Sequence, residues 1–274
     1  MTPLPAADKS SLDRGEARPA APGSRPEGAR DEREAGARVR EMFSRIAPRY
    51  DFLNHLLSFS FDRRWRRNVA ERFSMLLAYP DARILDLCCG TGDLAFALWR
   101  QSLKASGASH PPCRVFGSDF AMPMVERAAW KGRRRATDVL FLAADSLSLP
   151  FANDSFHLVT VGFGFRNLAN YEHGLAEIAR VLVPGGQFGL LEFSEPEKGL
   201  GAALFRSYFR HILPRIGGVI SGDASAYAYL PDSVSKFPSP DALAGWMMKA
   251  GFFKVEVHQW NFGSVAFHVG RKRG

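Results

Sequence analysis

The sequence predicts an α/β fold built on a mostly parallel β-sheet with helices on both faces, and three observations support this prediction. Apolar segments of strand length alternate with segments whose apolar residues recur at helical spacing, a pattern typical of parallel sheets covered by helices. The first strand leads into a turn of small residues at positions 88–92. Three strands end in or near an aspartate, namely Asp86, Asp119 and Asp145.

The N-terminal part of the chain divides into two regions. Residues 1–37 are rich in Pro, Ala, Gly, Arg and Glu and contain almost no large apolar side chains, so we expect a disordered tail. Residues 38–80 carry two predicted helices, one from Val39 to just before Pro48 and one that contains Trp65. Open α/β sheets bind ligands at the carboxyl ends of their strands, and these helices are placed to cover that edge as a lid. A plain packing layer explains the pattern equally well.

Residues 81–195 form the predicted core. Its five strands are apolar runs at residues 83–87, 115–119, 139–145, 156–162 and 187–193. A predicted helix precedes the fifth strand and is ended by Pro184-Gly185-Gly186, because proline does not continue a helix and glycine supplies a left-handed cap.

The pattern breaks at residues 196–238, which we interpret as an insertion on the substrate side of the sheet. Residues 204–212 within it are very apolar and predict a helix. Residues 239–274 return to a regular pattern, with a helix capped by Ser239 and two closing strands at 255–257 and 265–269. The predicted sheet therefore has seven strands.

The composition, with 46% hydrophobic and 23% charged residues, is that of an ordinary soluble globular protein. No apolar run reaches the roughly 18 residues of a membrane span. Three cysteines without disulfide or zinc spacing favour a reducing, cytoplasmic setting. The net charge of +8, concentrated in arginine clusters, suits an anionic membrane surface or nucleic acid. A solvated basic face explains it equally well.

The turn after the first strand has the chemistry of a ligand cradle. Gly90 and Gly92 allow close approach of the backbone, and the next helix directs free N–H groups into the same turn. An acid after the second strand, Asp119, suits ribose hydroxyls, and Asp145 with Ser146 suits an adenine edge. The third glycine of G-x-G-x-x-G is absent, which disfavours a nicotinamide oxidoreductase. These residues predict a nucleoside-containing cofactor, with S-adenosylmethionine favoured.

The motifs together resemble a known enzyme family. The glycine turn, the strand-terminal aspartates and the Pro-Gly-Gly turn resemble class I S-adenosylmethionine-dependent methyltransferases, which implies a Rossmann-like, seven-stranded, mostly parallel sheet. More specific segments are similar to the ubiquinone/menaquinone biosynthesis C-methyltransferase family, and they lie at residues 43–54, 162–167, 191–194, 213–217 and 227–230.

Residues near the expected methyl donor are candidates for catalysis. Arg166 and Asn167 follow the fourth strand and are expected to favour or hold the anionic form of the substrate, and Tyr50 or His211 to relay protons. A structural ion pair of Arg166 with Glu192 or Asp51 is the alternative, and a packed or surface position is favoured for His211. No metal is implied. The implied cofactor contacts are Gly90, Thr91, Gly92, Asp119, Asp145, Ser146 and Gly162, the last through its backbone only.

The implied reaction is methyl transfer to a ring carbon of a polyprenylated quinol, either demethylmenaquinol or 2-polyprenyl-6-methoxy-1,4-benzoquinol. The alternatives are a non-catalytic S-adenosylmethionine-binding subunit of a quinone-synthesis complex, and a methyltransferase for RNA or another small aromatic. Nucleic acid is disfavoured, because only Trp65 offers a stacking ring among the basic residues. We expect peripheral contact with an anionic membrane surface, and a homodimer is an open alternative to a monomer.

Overall fold

A single β-sheet organises the protein, whose computed structural model describes residues 23–51, 55, 58, 60–107, 112–196, 207 and 224–274. Its strands are β1 (Arg83–Leu87), β2 (Arg114–Asp119), β3 (Leu140–Ala143), β4 (Phe156–Gly162), β5 (Leu182–Phe193), β6 (Phe252–Trp260) and β7 (Val265–Lys272). They form a seven-stranded sheet in the order β3-β2-β1-β4-β5-β7-β6. Strands β1 to β5 are parallel, and β7 runs antiparallel to β5 and β6. The predicted fold class is confirmed.

Helices cover both faces of this sheet. The α-helices of the described ranges are α1 (Glu32–Ile46), α2 (Phe61–Arg72), α3 (Ser74–Leu77), α4 (Asp93–Ser106), α5 (Met122–Arg134), α6 (Tyr171–Val181), α7 (Ala224–Ser235) and α8 (Pro240–Lys249). As predicted, α8 begins after Ser239, whose side chain accepts the N–H of Ala242.

Alternation along the central strands divides the core into two layers. Ile84 of β1 packs in one cluster with residues of α2 and α4. Leu85, the next residue, packs in the opposite cluster with residues of α6 and α8. Successive side chains of a strand point to opposite faces, so a continuous apolar run is what a sheet covered on both sides requires.

The two N-terminal helices play different parts. Trp65 and Val69 of α2 are buried in the α4-side cluster, so α2 is a packing layer. Helix α1 packs through Met42 and Ile46 against Met124 of α5 and Val234 of α7. Other residues of α1 line a cavity at the carboxyl ends of the strands, and a lid stays a prediction for this helix.

Ordered structure begins earlier than the composition predicts. Helix α1 starts at Glu32, because Asp31 caps it by accepting the N–H of Glu34. Ala35 is fully buried in the same first turns. The predicted disorder is therefore wrong for residues 23–37. The cap at Asp31 and the one buried face of α1 stabilise this helix, although the composition of the segment is polar overall.

Two other segments differ from prediction. Strand β5 begins at Leu182, directly after α6. The Pro-Gly-Gly turn lies inside this strand and shifts its register with β4, because Phe156 pairs with Leu182 whereas Leu158 pairs with Gln187. Helix α7, which contains Pro231, was not predicted. Of the predicted helix at 204–212 only residue 207 is described, and His211 lies outside the described residues.

Candidate active site

The turn that follows β1 has the backbone geometry predicted for a cradle. Gly90 and Gly92 adopt left-handed conformations with φ of +53° and +85°. Gly92 is also the N-cap of α4, and a Cβ at this position would lie 2.7 Å from the ring of Phe141. Cys88 is left-handed as well, with φ of +50°. The turn therefore needs its glycines for both conformation and packing.

Asp119 ties this turn to β2. Its carboxylate accepts the backbone N–H of Gly90 at 2.9 Å and that of Ala121 at 3.0 Å. Burial raises the pKa of Asp119 to about 6, against the lowering effect of these backbone hydrogen bonds. The carboxylate that was predicted to meet a ribose thus also sets the shape of the loop.

Thr91 takes part in a buried ionic cluster. Its hydroxyl donates to Asp51 and accepts from the ammonium of Lys131 at 3.0 Å. Lys131 also contacts Asp51 at 3.0 Å and Asp93 at 2.6 Å, and Arg66 contacts Asp93 at 3.2 Å. We call these five residues the Lys131 cluster.

The Lys131 cluster joins the N-terminal segment, the glycine turn and α5. Burial acts to raise the pKa of Asp93, but the charges of Arg66 and Lys131 outweigh it and the pKa is lowered. The side chain of Thr91, predicted as a cofactor contact, is thereby turned toward Asp51. Sequence reasoning missed this cluster because its members are far apart in the chain.

Asp86 lies inside the sheet. It is completely buried, and one carboxylate oxygen accepts the hydroxyl of Thr160 at 2.7 Å. Burial raises the pKa of Asp86 to about 7. Its other oxygen has no hydrogen-bond partner among the described residues. Asp86 thus links β1 to β4 beneath the turn.

A cavity of about 540 Å³ opens at the carboxyl ends of β1 to β4. One wall belongs to α1 and the residues after it, and the opposite wall to the turns that follow the strands. The lining includes Glu32, Arg33, Gly36, Ala37, Arg40, Phe43, Tyr50, Cys88, Phe120, Asp145, Ser146, Leu147, Phe163, Gly164, Asn167, Leu168 and Ala169.

The cavity brings together some of the predicted site residues. Tyr50, Asp145, Ser146 and Asn167 all line it. The glycine turn reaches it through Cys88, whose thiol lies 3.5 Å from the hydroxyl of Ser146.

Other predicted site residues do not line the cavity and instead lie close to residues that do, or to the glycine turn. The carboxylate of Asp119 is bonded to the turn, as described above. At Gly162 the nearest heavy atom that a Cβ would meet is the side chain of Leu94, at 3.0 Å. Gly90 is close to the lining, since a Cβ there would lie 3.4 Å from the ring of Tyr50.

Arg166 forms a buried ion pair beside the cavity. Its Nη1 donates to Glu192 at 2.7 Å and to the carbonyl of Phe163 at 2.6 Å. Its Nε has no partner among the described residues. Burial opposes the charge, but Glu192 more than offsets this effect, and the pKa of Arg166 is raised above its ordinary value. The alternative that Arg166 forms an ion pair is therefore correct for Glu192, and the guanidinium remains charged.

Asn167 connects the cavity wall to α7. The amide oxygen of Asn167 accepts the hydroxyl of Tyr229 at 3.1 Å, and that hydroxyl also contacts Ser24 at 2.7 Å. The segment before α1 is thereby joined to the wall that carries Arg166. Sequence reasoning noted Tyr229 only as part of a motif.

Sequence reasoning also missed the wall contributed by the first half of α1. Glu32, Arg33, Gly36 and Arg40 line the cavity but fall in or next to the predicted tail. A usable signal was present, because Asp31 followed three residues later by Glu34 is a typical helix start. Within the described ranges no three His, Cys, Asp or Glu side chains are placed to hold a metal ion.

Comparison with known proteins agrees with this architecture. The model of the ubiE/COQ5 methyltransferase family matches residues 30–272. Demethylmenaquinone methyltransferase of Thermus thermophilus is 48% identical over 229 residues, covering 84% of this chain and 99% of that protein. Its counterpart in Deinococcus radiodurans is 45% identical, covering 89% and 96%.

Two further matches extend the comparison. The ubiquinone/menaquinone biosynthesis C-methyltransferase UbiE of Geobacter sulfurreducens is 41% identical, covering 87% of this chain and 90% of that protein. A solved S-adenosylmethionine-dependent methyltransferase of Thermotoga maritima, described as a possible histamine N-methyltransferase, superposes with a TM-score of 0.56 at 18% identity. That match covers 86% of this chain and all of the other.

The sheet order, the fold shared with a solved methyltransferase and the match to a methyltransferase family model together define the class as a methyltransferase with the Rossmann-like fold of S-adenosylmethionine-dependent enzymes. Within that class the assignment is specific. The chain belongs to the ubiE/COQ5 methyltransferase family. The resemblance drawn from the sequence motifs is confirmed.

Proposed function

We propose that this enzyme transfers the methyl group of S-adenosylmethionine to a ring carbon of a polyprenylated quinol, with demethylmenaquinol as the first acceptor to test. The names of the relatives at 48% and 45% identity support that acceptor. The observation that carries the proposal is the charged, buried Arg166 next to a cavity with aromatic walls.

The cavity suits the cofactor in size and chemistry. A volume of about 540 Å³ falls within the range of small-molecule and cofactor pockets, roughly 300–1,000 Å³. Asp145 and Ser146 offer polar groups to an adenine edge, and Phe120 offers a ring beside them. A side chain at Gly90 would crowd Tyr50, so the turn keeps space free at this edge. When bound, the cofactor supplies an electrophilic methyl group on a sulfonium sulfur.

The quinol ring must become nucleophilic before it accepts the methyl group. A quinol hydroxyl resembles that of tyrosine, with a pKa of about 10, so the phenolate needs stabilisation at neutral pH. Arg166 provides a fixed positive charge between Phe163 and Asn167, both of which line the cavity. A charge in a site of low dielectric acts more strongly on a developing anion than it would in water.

The permanent charge of Arg166 limits its role. An arginine guanidinium stays protonated in a protein, so it stabilises the anion and does not itself remove the proton. Tyr50 and Asn167, on opposite walls of the cavity, are placed to orient the ring. The remaining walls exclude water, which strengthens the electrostatic interactions inside. Methyl transfer would break the methyl–sulfur bond as the methyl–carbon bond forms, and the ring carbon would then lose its proton to water, which restores aromaticity.

A labelling experiment tests the proposal. The protein is incubated with methyl-labelled S-adenosylmethionine and either demethylmenaquinol or the methoxybenzoquinol precursor of ubiquinone, both kept reduced. We expect label in the demethylmenaquinol product. Label in the second lipid alone would move the acceptor to ubiquinone synthesis. Cofactor binding with no labelled product from either quinol would reject the proposal in favour of a non-catalytic subunit or another acceptor.

We also propose peripheral contact with an anionic membrane surface. None of the helices in the described ranges is both long enough and apolar enough to cross a bilayer. Support for surface contact comes from the net charge of +8, from the exposed arginines of α2 at 63, 64 and 67, and from the apolar tail of the proposed acceptor.

A further inference from the structure

The turn between β6 and β7 holds a phenylalanine out in solvent. Phe262 is 91% exposed. Asn261, Phe262 and Gly263 are all left-handed, with φ of +50°, +59° and +85°. The left-handed region is unfavourable for a residue with a bulky side chain. Exposure of this apolar ring therefore comes with an unfavourable backbone conformation.

Neighbouring elements fix this turn firmly. The side-chain oxygen of Asn261 accepts the indole N–H of Trp65 at 2.9 Å, and its carbonyl accepts the N–H of Ser264 at 3.2 Å. The carbonyl of Gly263 accepts the hydroxyl of Ser194 at 2.6 Å. Strained residues that their surroundings hold in place occur preferentially at functional positions. The exposure of Phe262 is therefore built into the fold.

A second exposed ring and a group of arginines lie on the same side. Phe61, which begins α2, is 42% exposed and stacks on Trp65 at a centroid distance of 6.2 Å. Arg63, Arg64 and Arg67 of α2 are exposed. Arg63 and Arg64 form no ion pair with the part of the chain that is described, whereas Arg67 lies 3.9 Å from Glu71.

Acidic groups near this side are few and partly engaged. Glu256 of β6 pairs with Arg72 at 3.0 Å, and Glu195 is exposed after β5. Asp62 is buried and bonded to Arg66 and His55. The outward charge of α2 therefore stays positive beside two exposed aromatic rings.

A row of aromatic rings runs from this surface to the cavity. Trp65 lies 5.6 Å from Phe163 and 6.3 Å from Phe193, measured between ring centroids, and Phe163 lies 4.6 Å from Phe193. Phe163 lines the cavity. The guanidinium of Arg166 lies 5.5 Å from the Phe193 ring centroid. Packed aromatic rings thus connect the exposed rings to the cavity wall.

We propose that Phe61, Phe262, Arg63, Arg64 and Arg67 form a docking face for an anionic lipid bilayer. The two rings enter the interfacial region and the arginines meet the headgroups, a combination typical of proteins that lie on membranes. The aromatic row offers the apolar tail of the acceptor an apolar surface next to the cavity. The docking face deepens the membrane contact proposed above, and the part about the tail rests on the proposed acceptor.

Vesicle co-sedimentation of the full chain tests the docking face without any acceptor. We expect binding to phosphatidylcholine vesicles containing 30% phosphatidylglycerol, at about 0.1 M salt, and much weaker binding to phosphatidylcholine alone. Phe262→Asn preserves the left-handed turn, because asparagine tolerates it, and should lower the partition coefficient roughly tenfold. Arg63→Gln with Arg64→Gln should lower binding to the anionic vesicles alone, by about fivefold for each charge.

Trp130→Ser provides the matched control. Trp130 is 47% exposed on α5 and carries Arg134 over its ring, so it is also an aromatic ring beside a basic cluster. It should leave vesicle binding unchanged. A larger loss for Trp130→Ser than for Phe262→Asn, or equal binding of the unaltered chain to both kinds of vesicle, would overturn the proposal. Quinol methylation is measured separately, so failure of the proposed function would show as absent label despite vesicle binding.

Discussion

The two buried cation sites of this enzyme, the Lys131 cluster and the Arg166–Glu192 pair, differ in how completely their hydrogen bonds are satisfied. An ammonium group has three donors, and those of Lys131 meet Asp51, Thr91 and Asp93. Arg166 has one carboxylate partner and leaves its Nε without an acceptor among the described residues.

This difference agrees with a structural role for the Lys131 cluster and with the chemical role proposed for Arg166. The Lys131 cluster links the segment after α1, helix α2, the glycine turn with the start of α4, and α5, so it fixes the relative positions of those segments. The Arg166 pair lies next to the cavity and leaves one buried donor unpaired among the described residues. An unpaired buried donor is costly for stability, so stability alone does not account for the arrangement around Arg166.

The largest effect is expected when the Arg166 charge is removed. Arg166→Met should lower kcat by about 10²–10³-fold, the usual cost of losing a group that stabilises a developing anion. Activity of the variant should recover partly at high pH, where the quinol ionises without help. Arg166→Lys keeps a charge and should retain more activity, although lysine does not reproduce the planar fork of arginine. The measurement is the pH profile of kcat in the labelling assay.

Stability provides the control for this variant. Arg166→Met leaves Glu192 as an unpaired buried charge, which typically costs about 3–5 kcal/mol. Arg166→Met combined with Glu192→Gln removes both charges and should regain most of that loss in denaturant unfolding. If the double variant also regains activity, the role of Arg166 is structural only.

The next largest effect is expected in the pH dependence of the free energy of unfolding, which depends on buried acids without an ion pair. The pKa of Asp86 is raised to about 7, compared with about 3.9 in an unfolded chain. Between these values the folded state holds a proton that the unfolded state has lost. The free energy of unfolding should therefore fall as pH rises from 4 to 7, by about 1 kcal/mol per pH unit, and level off outside this window.

Two variants check this pH dependence by denaturant unfolding across pH. Asp86→Asn should remove most of the slope, leaving the smaller contribution of Asp119, whose pKa is raised to about 6. Thr160→Val removes a hydrogen bond that lowers the pKa of Asp86, so it should extend the slope to higher pH. A slope that Asp86→Asn leaves unaltered would contradict this account.

Breaking the Lys131 cluster should cost stability more than chemistry. Lys131→Met leaves Asp51 and Asp93 partly buried without their ammonium partner, and we expect unfolding to become easier by about 3 kcal/mol. The matched control is Arg127→Met: Arg127 is 36% exposed and 3.7 Å from Asp51, and such surface pairs contribute less than about 1 kcal/mol. Under conditions where Lys131→Met is folded and saturated with cofactor, kcat should change by less than tenfold.

The sequence was informative where local chemistry decides the structure. Strands β1, β2 and β4 are continuous apolar runs, and the cap at Ser239 is a local signal, so both were predicted nearly to the residue. The start of α1 was missed because average composition outweighed the cap at Asp31. Positions after the strands and the resemblance to the family identified Tyr50, Asp145, Ser146 and Asn167 as candidates, and all four line the cavity.

The buried ionic network could not be predicted in the same way. Lys131 lies 80 positions from Asp51 and 40 from Thr91 along the chain, and no local periodicity reports such a meeting. The same limit applies to Thr91, whose position in the glycine motif predicted a ligand contact. Whether its hydroxyl faces a ligand or Asp51 depends on a segment that folds over it from elsewhere.

The smallest effect on stability is expected where the glycine turn contacts the segment that carries Arg166. A Cβ at Gly164, two residues before Arg166, would overlap the Cβ of Cys88 in the glycine turn. Gly164→Ala alone should therefore destabilise the protein by about 1–3 kcal/mol, the usual cost of overpacking. Cys88→Gly removes the obstructing atom and relieves a left-handed conformation at a residue with a side chain.

The double variant Cys88→Gly with Gly164→Ala should consequently be more stable than the sum of the two single changes predicts. A double-mutant cycle by denaturant unfolding measures this coupling, which we expect to be at least 1 kcal/mol in favour of the double variant, within the range for residues in contact. Gly107→Ala, at a glycine whose Cβ would meet no atom within 4 Å, serves as the uncoupled control with Cys88→Gly. If the effect of Cys88→Gly adds to that of Gly164→Ala as simply as it adds to that of Gly107→Ala, the glycine turn and the segment that carries Arg166 do not pack against each other.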